Sequence, residues 1–509
     1  MAVARTWSVA LAGLTGAIVE IEASAAATVP GMAIVGLPDK SLGEAAHRIK
    51  SATANSGCEL PGGKLTINLS PASLPKQGSA FDLSMAIACL AVGGLVRRES
   101  AERVVHLGEL GLDGRLRPLV GVLPAVLAVA RAGYDAVMVP TANVEEAQLV
   151  PGVTVIGATS LRDAAIWHGA ELSAIDLEPV RQRVDRLPTP DPLDLADVVG
   201  QPDAVDAMVA AAAGGHHVMM VGPPGAGKTM LAARLPEILP DLEPEAAVEV
   251  SCLRSLIGLP PDGALARRPP WESPHHSSSA AAIIGGGSRQ IRPGAAARAA
   301  HGVLFLDEAP EFRADVLDSL RQPLEAGVIT VHRAHGSATF PAAFQLVLAA
   351  NPCPCGQYGT ADGVCTCPPQ TRRRYLGRIS GPLLDRIDIR VRVHRITSAL
   401  TSLSQERGVS TAEARSRVEA VRAASAERLA GTGWTTNAQA SGTWLRSPRM
   451  RLPRSVTSAL DRSLERGGIT MRGYDRILRL SWTLADLDGA GSPTAEHLGR
   501  ALFLRKGIS

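Results

Sequence analysis

The run Gly222-Pro223-Pro224-Gly225-Ala226-Gly227-Lys228-Thr229 constrains this chain more than any other segment. It has the spacing G-x-x-x-x-G-K-[ST], whose glycines let successive backbone N–H groups close around phosphate oxygens with no Cβ in the way. Lys228 can then reach the β- and γ-phosphates, and the Thr229 hydroxyl can ligate Mg²⁺. The flanks supply the context such a loop needs. His217-Val218-Met219-Met220-Val221 reads as a short buried strand, and Met230-Leu231-Ala232-Ala233-Arg234-Leu235 opens a helix. Strand, glycine loop and helix together predict an α/β nucleotide-binding domain for ATP or GTP.

A second segment adds hydrolysis to binding. Val303-Leu304-Phe305-Leu306-Asp307-Glu308 is an apolar run ending in two acids. Both carboxylates then sit at the C-terminal end of a strand, where α/β sheets hold their ligands. Asp307 is expected to hold Mg²⁺, and Glu308 to orient or deprotonate the attacking water.

The 509 residues exceed one hydrophobic core and imply two or three domains. No apolar run approaches the roughly 20 residues of a membrane span, and the N-terminus turns acidic too soon for a signal peptide. Seven cysteines in this length do not form a disulfide scaffold, so a cytoplasmic protein with no membrane partner is expected. The net charge of +3 is unevenly spread. Residues 1–200 carry 16 Lys and Arg against 21 Asp and Glu, whereas residues 368–509 carry 25 against 12. A basic region this one-sided suits a polyanion such as nucleic acid, and equally suits solvated helix faces and subunit-interface arginines.

Three parts emerge along the chain. Residues 1–172 alternate strand-like runs (17–21, 65–69, 136–139) with helical ones (83–90, 122–132), the pattern of a compact α/β domain. Residues 173–195 are rich in Pro, Asp and Arg and read as a linker. The nucleotide-binding domain runs over 196–395. Residues 396–509 are helical in pattern: Ser410-Thr411-Ala412-Glu413 fits a capping box, and a closing helix pair spans 474–487 and 495–504.

Further segments resemble the machinery of AAA+ ATPases. Gln345-Leu346-Val347-Leu348-Ala349-Ala350-Asn351 is a buried strand ending in a polar residue, and resembles the strand whose terminal Asn (sensor 1) positions the attacking water. Ile379 to Asp388 reads as a helix ending in Arg386, and is similar to the arginine-finger motif of the clade that holds magnesium chelatases and replicative helicases. Arg472 matches the sensor-2 position of that clade's helical lid. Taken singly, each arginine reads better as a surface salt bridge; in this order after a glycine loop, the functional reading is favoured. Ser273-Pro274-His275-His276, Ile284-Gly285-Gly286-Gly287-Ser288, His301 to Glu308, Asn351-Pro352-Cys353-Pro354-Cys355-Gly356 and Ser380 to Arg386 together resemble the ComM (YifB) family. The likeness covers nearly the whole chain. It implies a hexameric AAA+ ring that hydrolyses ATP with Mg²⁺ and drives branch migration of DNA in recombination or transformation. It also implies pore-lining hairpins near residues 283–292 and 331–339, the second carrying His332, Arg333 and His335. One departure is Ala295, where the family usually has an acid.

The N-terminal part resembles the Lon-type serine protease domain in Lys76-Gln77-Gly78-Ser79-Ala80-Phe81-Asp82-Leu83 and in Gly108 to Pro118. That enzyme needs a serine nucleophile and a lysine base. Alignment on Lys76 puts Ala80 at the nucleophile position, and alignment on Pro118 puts Leu123 at the base, so no peptidase activity is expected. The fold class is thus α/β: a P-loop AAA+ core with a helical C-terminal lid, behind an N-terminal α+β Lon-protease-like domain.

Cys353-Pro354-Cys355 and Cys365-Thr366-Cys367 offer four thiols. They suit tetrahedral Zn²⁺, although C-x-C bites are tight and proline narrows the first; a loop of reduced thiols is the other reading. The leading function is an ATP-driven motor on single-stranded or branched DNA. A magnesium-chelatase-like ATPase for metal insertion is the alternative. The chain lacks a D-x-S-x-S metal motif and carries an N-terminal domain that chelatase motor subunits lack, which favours DNA. Aromatic content of 3% argues for backbone contact without sequence preference over base stacking.

Overall fold

The computed structural model describes residues 3–36, 40–72, 74, 76, 78–181, 193–287, 291–333, 336–359, 365–395 and 408–507. Two sheets organise them. The N-terminal strands are β1 (Val3–Ala12), β2 (Thr15–Ala26), β3 (Gly31–Val35), β4 (Lys64–Ser70) and β5 (Val105–His106), followed by the small hairpin β6 (Glu109–Leu110) and β7 (Leu116–Arg117), then β8 (Ala136–Pro140) and β9 (Thr154–Ala158). Seven of them form one mixed sheet in the order β3-β4-β2-β1-β5-β8-β9. β1 and β2 make a hairpin in which Ala12 faces Thr15 across a two-residue loop, and Gly13 there adopts φ +66°. Helix Asp82–Val92 covers one face of the sheet and is buried from Asp82 to Ala91, which explains its continuous small and apolar sequence. Helix Val122–Arg131 covers the other face over Val105, Val137 and Val139.

The second sheet is built from β10 (Val218–Val221), β11 (Trp271–Glu272), β14 (Val303–Leu306), β17 (Gln345–Ala350) and β18 (Ile389–Arg392), with the hairpins β12 (Gly285–Gly286)/β13 (Arg292–Pro293) and β15 (Val328–Arg333)/β16 (Gly336–Pro341) inserted between them. The order is β11-β14-β17-β10-β18 and every pairing is parallel. Parallel sheets are covered on both faces, so their strands are apolar throughout. Val218, Met220, Phe305, Val347 and Ile389 enter one core with helix Pro202–Gly214 and the C-terminal helices. Met219, Leu304, Leu306, Leu346 and Leu348 enter a second core with the inserted hairpins.

β18 corrects the sequence reading of its neighbourhood. The helix ascribed to 379–386 is only the turn Gly381–Leu384, and Arg386 lies just beyond it, before β18. Ile-Arg-Val-Arg alternates because β18 is an edge strand, with Ile389 and Val391 buried and Arg392 exposed. From residue 408 onward the described residues hold helices and no strand, chiefly Thr411–Arg428, Arg454–Glu465, Met471–Leu487 and Ala495–Lys506. Ser410 caps the first: its Oγ accepts from Glu413 N at 3.3 Å while Glu413 Oε2 accepts from Ser410 N at 2.9 Å.

Two contacts lock the parts together. Asp388, fully buried, accepts from Arg476 Nη1 of helix Met471–Leu487 at 2.6 Å and from His217 N, just before β10, at 3.2 Å. Glu146 of the N-terminal part accepts from Ser255 Oγ of helix Pro244–Leu256, and Gly121 N donates to Ser255 O at 3.1 Å. Residues 182–192, within the expected linker, lie outside the described residues.

Candidate functional site

The glycine loop joins β10 to helix Lys228–Ala233, and three parallel strands deliver the polar residues around it: β10 leads to Gly222, β14 to Asp307 and Glu308, β17 to Asn351. Gly225 and Gly227 adopt φ +74° and +89°, where a Cβ is strained, and a Cβ on Gly222 would lie 2.2 Å from Val393 O. Lys228 is only 8% exposed. Its Nζ donates to Gly222 O at 2.8 Å, Pro223 O at 3.0 Å and Asn351 Oδ1 at 3.0 Å. Burial lowers the Lys228 ammonium from its ordinary range, against the pull of Asp307 and Glu308. Thr229 Oγ1 donates to Asp307 Oδ2 at 2.7 Å, so the two expected Mg²⁺ ligands already touch. Asp307 Oδ1 accepts from Glu308 N at 2.9 Å. Hence Lys228, Thr229, Asp307 and Asn351 form one connected set, with Glu308 beside it.

Glu308 has two features the sequence did not reveal. Its backbone lies at φ +51°, one of two non-glycine residues in the left-handed region among those described. Such strain tends to collect at functional sites. Its Oε2 lies 3.1 Å from His276 Nδ1, and the pair walls a cleft of about 240 Å³ with Ser273, Pro274, His275 and Asp307. His276 stands 32 residues earlier in the chain, so only the pairing of β11 with β14 brings it there.

The two arginines lie elsewhere. Arg386 is 6% exposed, with one guanidinium nitrogen against Glu325, another donating to Pro382 O at 2.6 Å, and Nε without a partner among the described residues. Arg472 is exposed at the start of helix Met471–Leu487. Both line one cavity of about 1140 Å³, together with Arg476, Arg479 and Asp388. No residue of the glycine loop, nor Asp307, Glu308 or Asn351, lines it. The structure therefore brings the arginines together, and does not bring them to the loop of their own chain.

The four cysteines converge. Their sulfurs lie within 4.8 Å of one another, with Cys353–Cys355, Cys353–Cys365 and Cys355–Cys365 at 3.4, 3.7 and 3.8 Å. A ZnS₄ tetrahedron with bonds of about 2.3 Å has edges of about 3.8 Å. The donor set fits, and Cys367 completes it. Backbone N–H donation at Gln357, then Cys353, lowers the Cys355 thiol to about 6, whereas burial raises Cys353 to about 11.

In the N-terminal part, Lys76 is buried and spends its ammonium on Gly36 O at 3.3 Å, Leu69 O at 3.2 Å and Pro71 O. Ser79 donates to Glu109, and Leu123 is a core residue of helix Val122–Arg131. No serine–lysine pair forms among the described residues. Of the expected pore hairpins, β15/β16 presents exposed His332 and Arg333, while β12 pairs β13 with Gly286 opposite Arg292. His335 and residues 288–290 lie outside the described residues. Ala295 is fully buried and opens the turn Ala295–Arg298, so an acid at this position would be desolvated and would need a partner.

Comparison with known proteins accords with this geometry. Family profiles match residues 194–401 (magnesium chelatase, subunit ChlI), 19–143 (subunit ChlI of Mg-chelatase) and 408–505 (magnesium chelatase, subunit ChlI C-terminal). An uncharacterized protein of Mycobacterium tuberculosis is 47% identical over 99% of both chains. Competence protein ComM of Haemophilus influenzae is 37% identical over 99% of this chain and 98% of its own, and YifB of Escherichia coli is 35% identical over 97% and 95%. The Lon protease of Mycolicibacterium smegmatis is 28% identical over 34% of this chain and 22% of its own. With full-length identity above a third and a glycine loop set in an all-parallel five-stranded sheet, the chain belongs to the ComM/YifB family of magnesium-chelatase-like AAA+ proteins.

Proposed function

We propose that the chain is an ATP-hydrolysing motor that assembles as a ring, hexameric by analogy with its family, and acts on single-stranded or branched DNA. One observation supports the ring: Arg386 and Arg472 line a groove that no residue of their own glycine loop lines, as suits arginines offered to a second copy's nucleotide. A finger arginine stabilises charge on the transferring phosphoryl group and is commonly supplied by a neighbour. Arg386 would exchange Glu325 for that charge.

Within one subunit the roles follow from the contacts. Lys228 and the loop amides bind the phosphates, and Thr229 and Asp307 would hold the Mg²⁺ of the nucleotide. That ion neutralises charge on the β- and γ-phosphates. Asn351, fixed through Lys228, orients the attacking water, and Glu308 takes its proton. The cysteine cluster would hold Zn²⁺ as a structural clamp beside Asn351, because four thiolates and no open position make a closed site. With Ala80 and Leu123 at the protease positions, the N-terminal domain has no peptidase role.

The DNA assignment rests on the competence relative, on the basic balance of residues 368–509, and on exposed His332 and Arg333 at a hairpin. The family profiles are named for magnesium chelatase, which favours metal insertion as a second reading. ATPase assays with and without single-stranded and forked DNA separate the two. Stimulation that falls steeply with salt supports the motor, and no stimulation by either DNA supports metal insertion.

A further inference from the structure

The stretch that carries the first two cysteines also walls the glycine loop. β17 ends at Ala350, whose carbonyl accepts from Gly222 N at 3.2 Å. The next residue, Asn351, accepts from Lys228 Nζ at 3.0 Å. Cys353 is fully buried, and its carbonyl accepts from Gly356 N at 2.9 Å, which turns the chain back. Gly356 then stands against the glycine loop itself: a Cβ there would overlap Pro224 Cδ and lie 2.6 Å from Pro224 Cγ. One short segment therefore meets the phosphate-binding loop at Gly222, Lys228 and Pro224, and Cys353 and Cys355 lie between its second and third contacts. The other two cysteines are fastened elsewhere. Cys367 leads through Pro368 into helix Pro369–Leu376, where Tyr375 is buried and the Arg372 guanidinium lies 3.9 Å over the Tyr358 ring.

We propose that Gly356 is a positioning residue for the glycine loop, and that Zn²⁺ on the four cysteines fixes it there, so that metal and nucleotide bind with linked affinities. The metal half rests on the zinc reading above; the contact of Gly356 with Pro224 does not. Residues 351–359 form no helix or strand, so the place of Gly356 is set by its turn onto Cys353 and by what ties Cys353 and Cys355 to Cys365 and Cys367. Four sulfurs on one ion make that unit stiff. Thiols alone offer one another only weak S–H donation, and the wall behind Pro224 then loosens. Phosphate binding needs the loop N–H groups to converge, so a loop ordered in advance loses less entropy when nucleotide arrives. The linkage is reciprocal: the factor by which metal raises nucleotide affinity is the factor by which nucleotide raises metal affinity.

The test is equilibrium binding of a fluorescent ATP analogue by the full chain, with Mg²⁺ in excess and zinc content measured on every sample. Removing zinc with a zinc-selective chelator should weaken nucleotide about five-fold or more, zinc added back should restore it, and saturating nucleotide should raise the affinity for zinc by the same factor. Gly356→Ala needs no chelator. It should keep its zinc and weaken nucleotide about five-fold or more, because the added methyl drives into the rigid Pro224 ring. Pro224→Ala removes that ring and leaves the backbone nitrogen of residue 224, 3.8 Å away, as the nearest atom. The double variant should therefore bind nucleotide as Pro224→Ala alone does. Backbone strain at φ +76° is common to the free and bound protein and drops out of this comparison. Equal nucleotide affinity with and without zinc would overturn the linkage. A Gly356→Ala protein that binds as the parent does, or a defect that Pro224→Ala leaves in place, would overturn the positioning role. A chain that neither contains zinc nor takes it up removes the zinc reading and the linkage together, while the Gly356→Ala defect and its rescue still decide the contact.

Discussion

Replacing Asp388 tests how the helical lid is held to the nucleotide-binding core. Its carboxylate is buried, and burial alone would raise its pKa, yet Arg476 and the neighbouring His216 and His217 hold it well below the usual carboxylate range. Asp388→Ala leaves Arg476, itself largely covered, without its 2.6 Å partner, and strands His217 N. Removing one member of a buried ion pair costs about 3–5 kcal/mol, because the remaining charge stays desolvated. That is a factor of roughly 10² to 10⁴ in the opening equilibrium of the element it anchors. A melting temperature of a chain with several domains is poorly defined, so the assay is amide hydrogen exchange along Met471–Leu487. Protection there should fall by that factor and stay unchanged in the N-terminal sheet. Arg476→Ala should have a similar effect, and the double variant should cost clearly less than the sum. Because Arg476 Nη1 also donates to Arg386 O at 2.9 Å, ATP turnover should fall as well while nucleotide binding persists. Unchanged protection of this helix, or additive single effects, would refute the reasoning.

Three further outcomes follow from other sites. Glu308→Gln should keep ATP affinity and lose about 10²- to 10⁴-fold in kcat, the range for a general base; hydrolysis at the parent rate would remove Glu308 from that role. If Cys353, Cys355, Cys365 and Cys367 hold zinc, purified protein should contain it stoichiometrically, and chelation should lower thermal stability and expose four thiols to titration; zinc-free protein with those thiols already reactive would exclude the site. Burial lowers the His168 imidazole from 6.5 to about 4, so the unfolded state takes up the proton first, and the stability present above pH 6.5 drains away as pH falls from 6.5 towards 4, by up to about 3 kcal/mol. His168 Nε2 contacts His106 Nε2 at 2.9 Å in the N-terminal domain, so exchange protection of that domain should drop over this range, and a flat profile would contradict the assignment.

The parallel core was legible because its strands are covered on both faces. Val218–Val221, Val303–Leu306 and Gln345–Ala350 are unbroken apolar runs, and each ends at a residue with a chemical reason to stand there. Composition could not show β18, where Arg390 and Arg392 at a sheet edge break the apolar run that marks the other parallel strands. In the site, local spacing exposed Lys228, Thr229, Asp307 and Glu308. His276 was visible only as a neighbour of His275, since its contact with Glu308 comes from strand pairing between distant segments. Asp388 likewise stood in the sequence beside Arg386, but its partners come from helix Met471–Leu487 and from the approach to β10. The cysteines show a third case. Sequence supplied four ligands of uncertain convergence, and the fold of the 353–367 loop supplies their proximity.

The most direct test of a ring in which one copy completes the next is subunit mixing. Lys228→Ala alone should lose nucleotide binding, and Arg386→Ala alone should bind ATP and scarcely turn it over, because a finger acts on the transition state. Mixing the two should restore part of the activity, since some interfaces then pair an intact glycine loop with an intact Arg386. The same groove that excludes its own loop in this structure would be read out as activity in the mixture. Mixtures that stay as inactive as either variant, or an Arg386→Ala protein with full turnover by itself, would contradict the shared site.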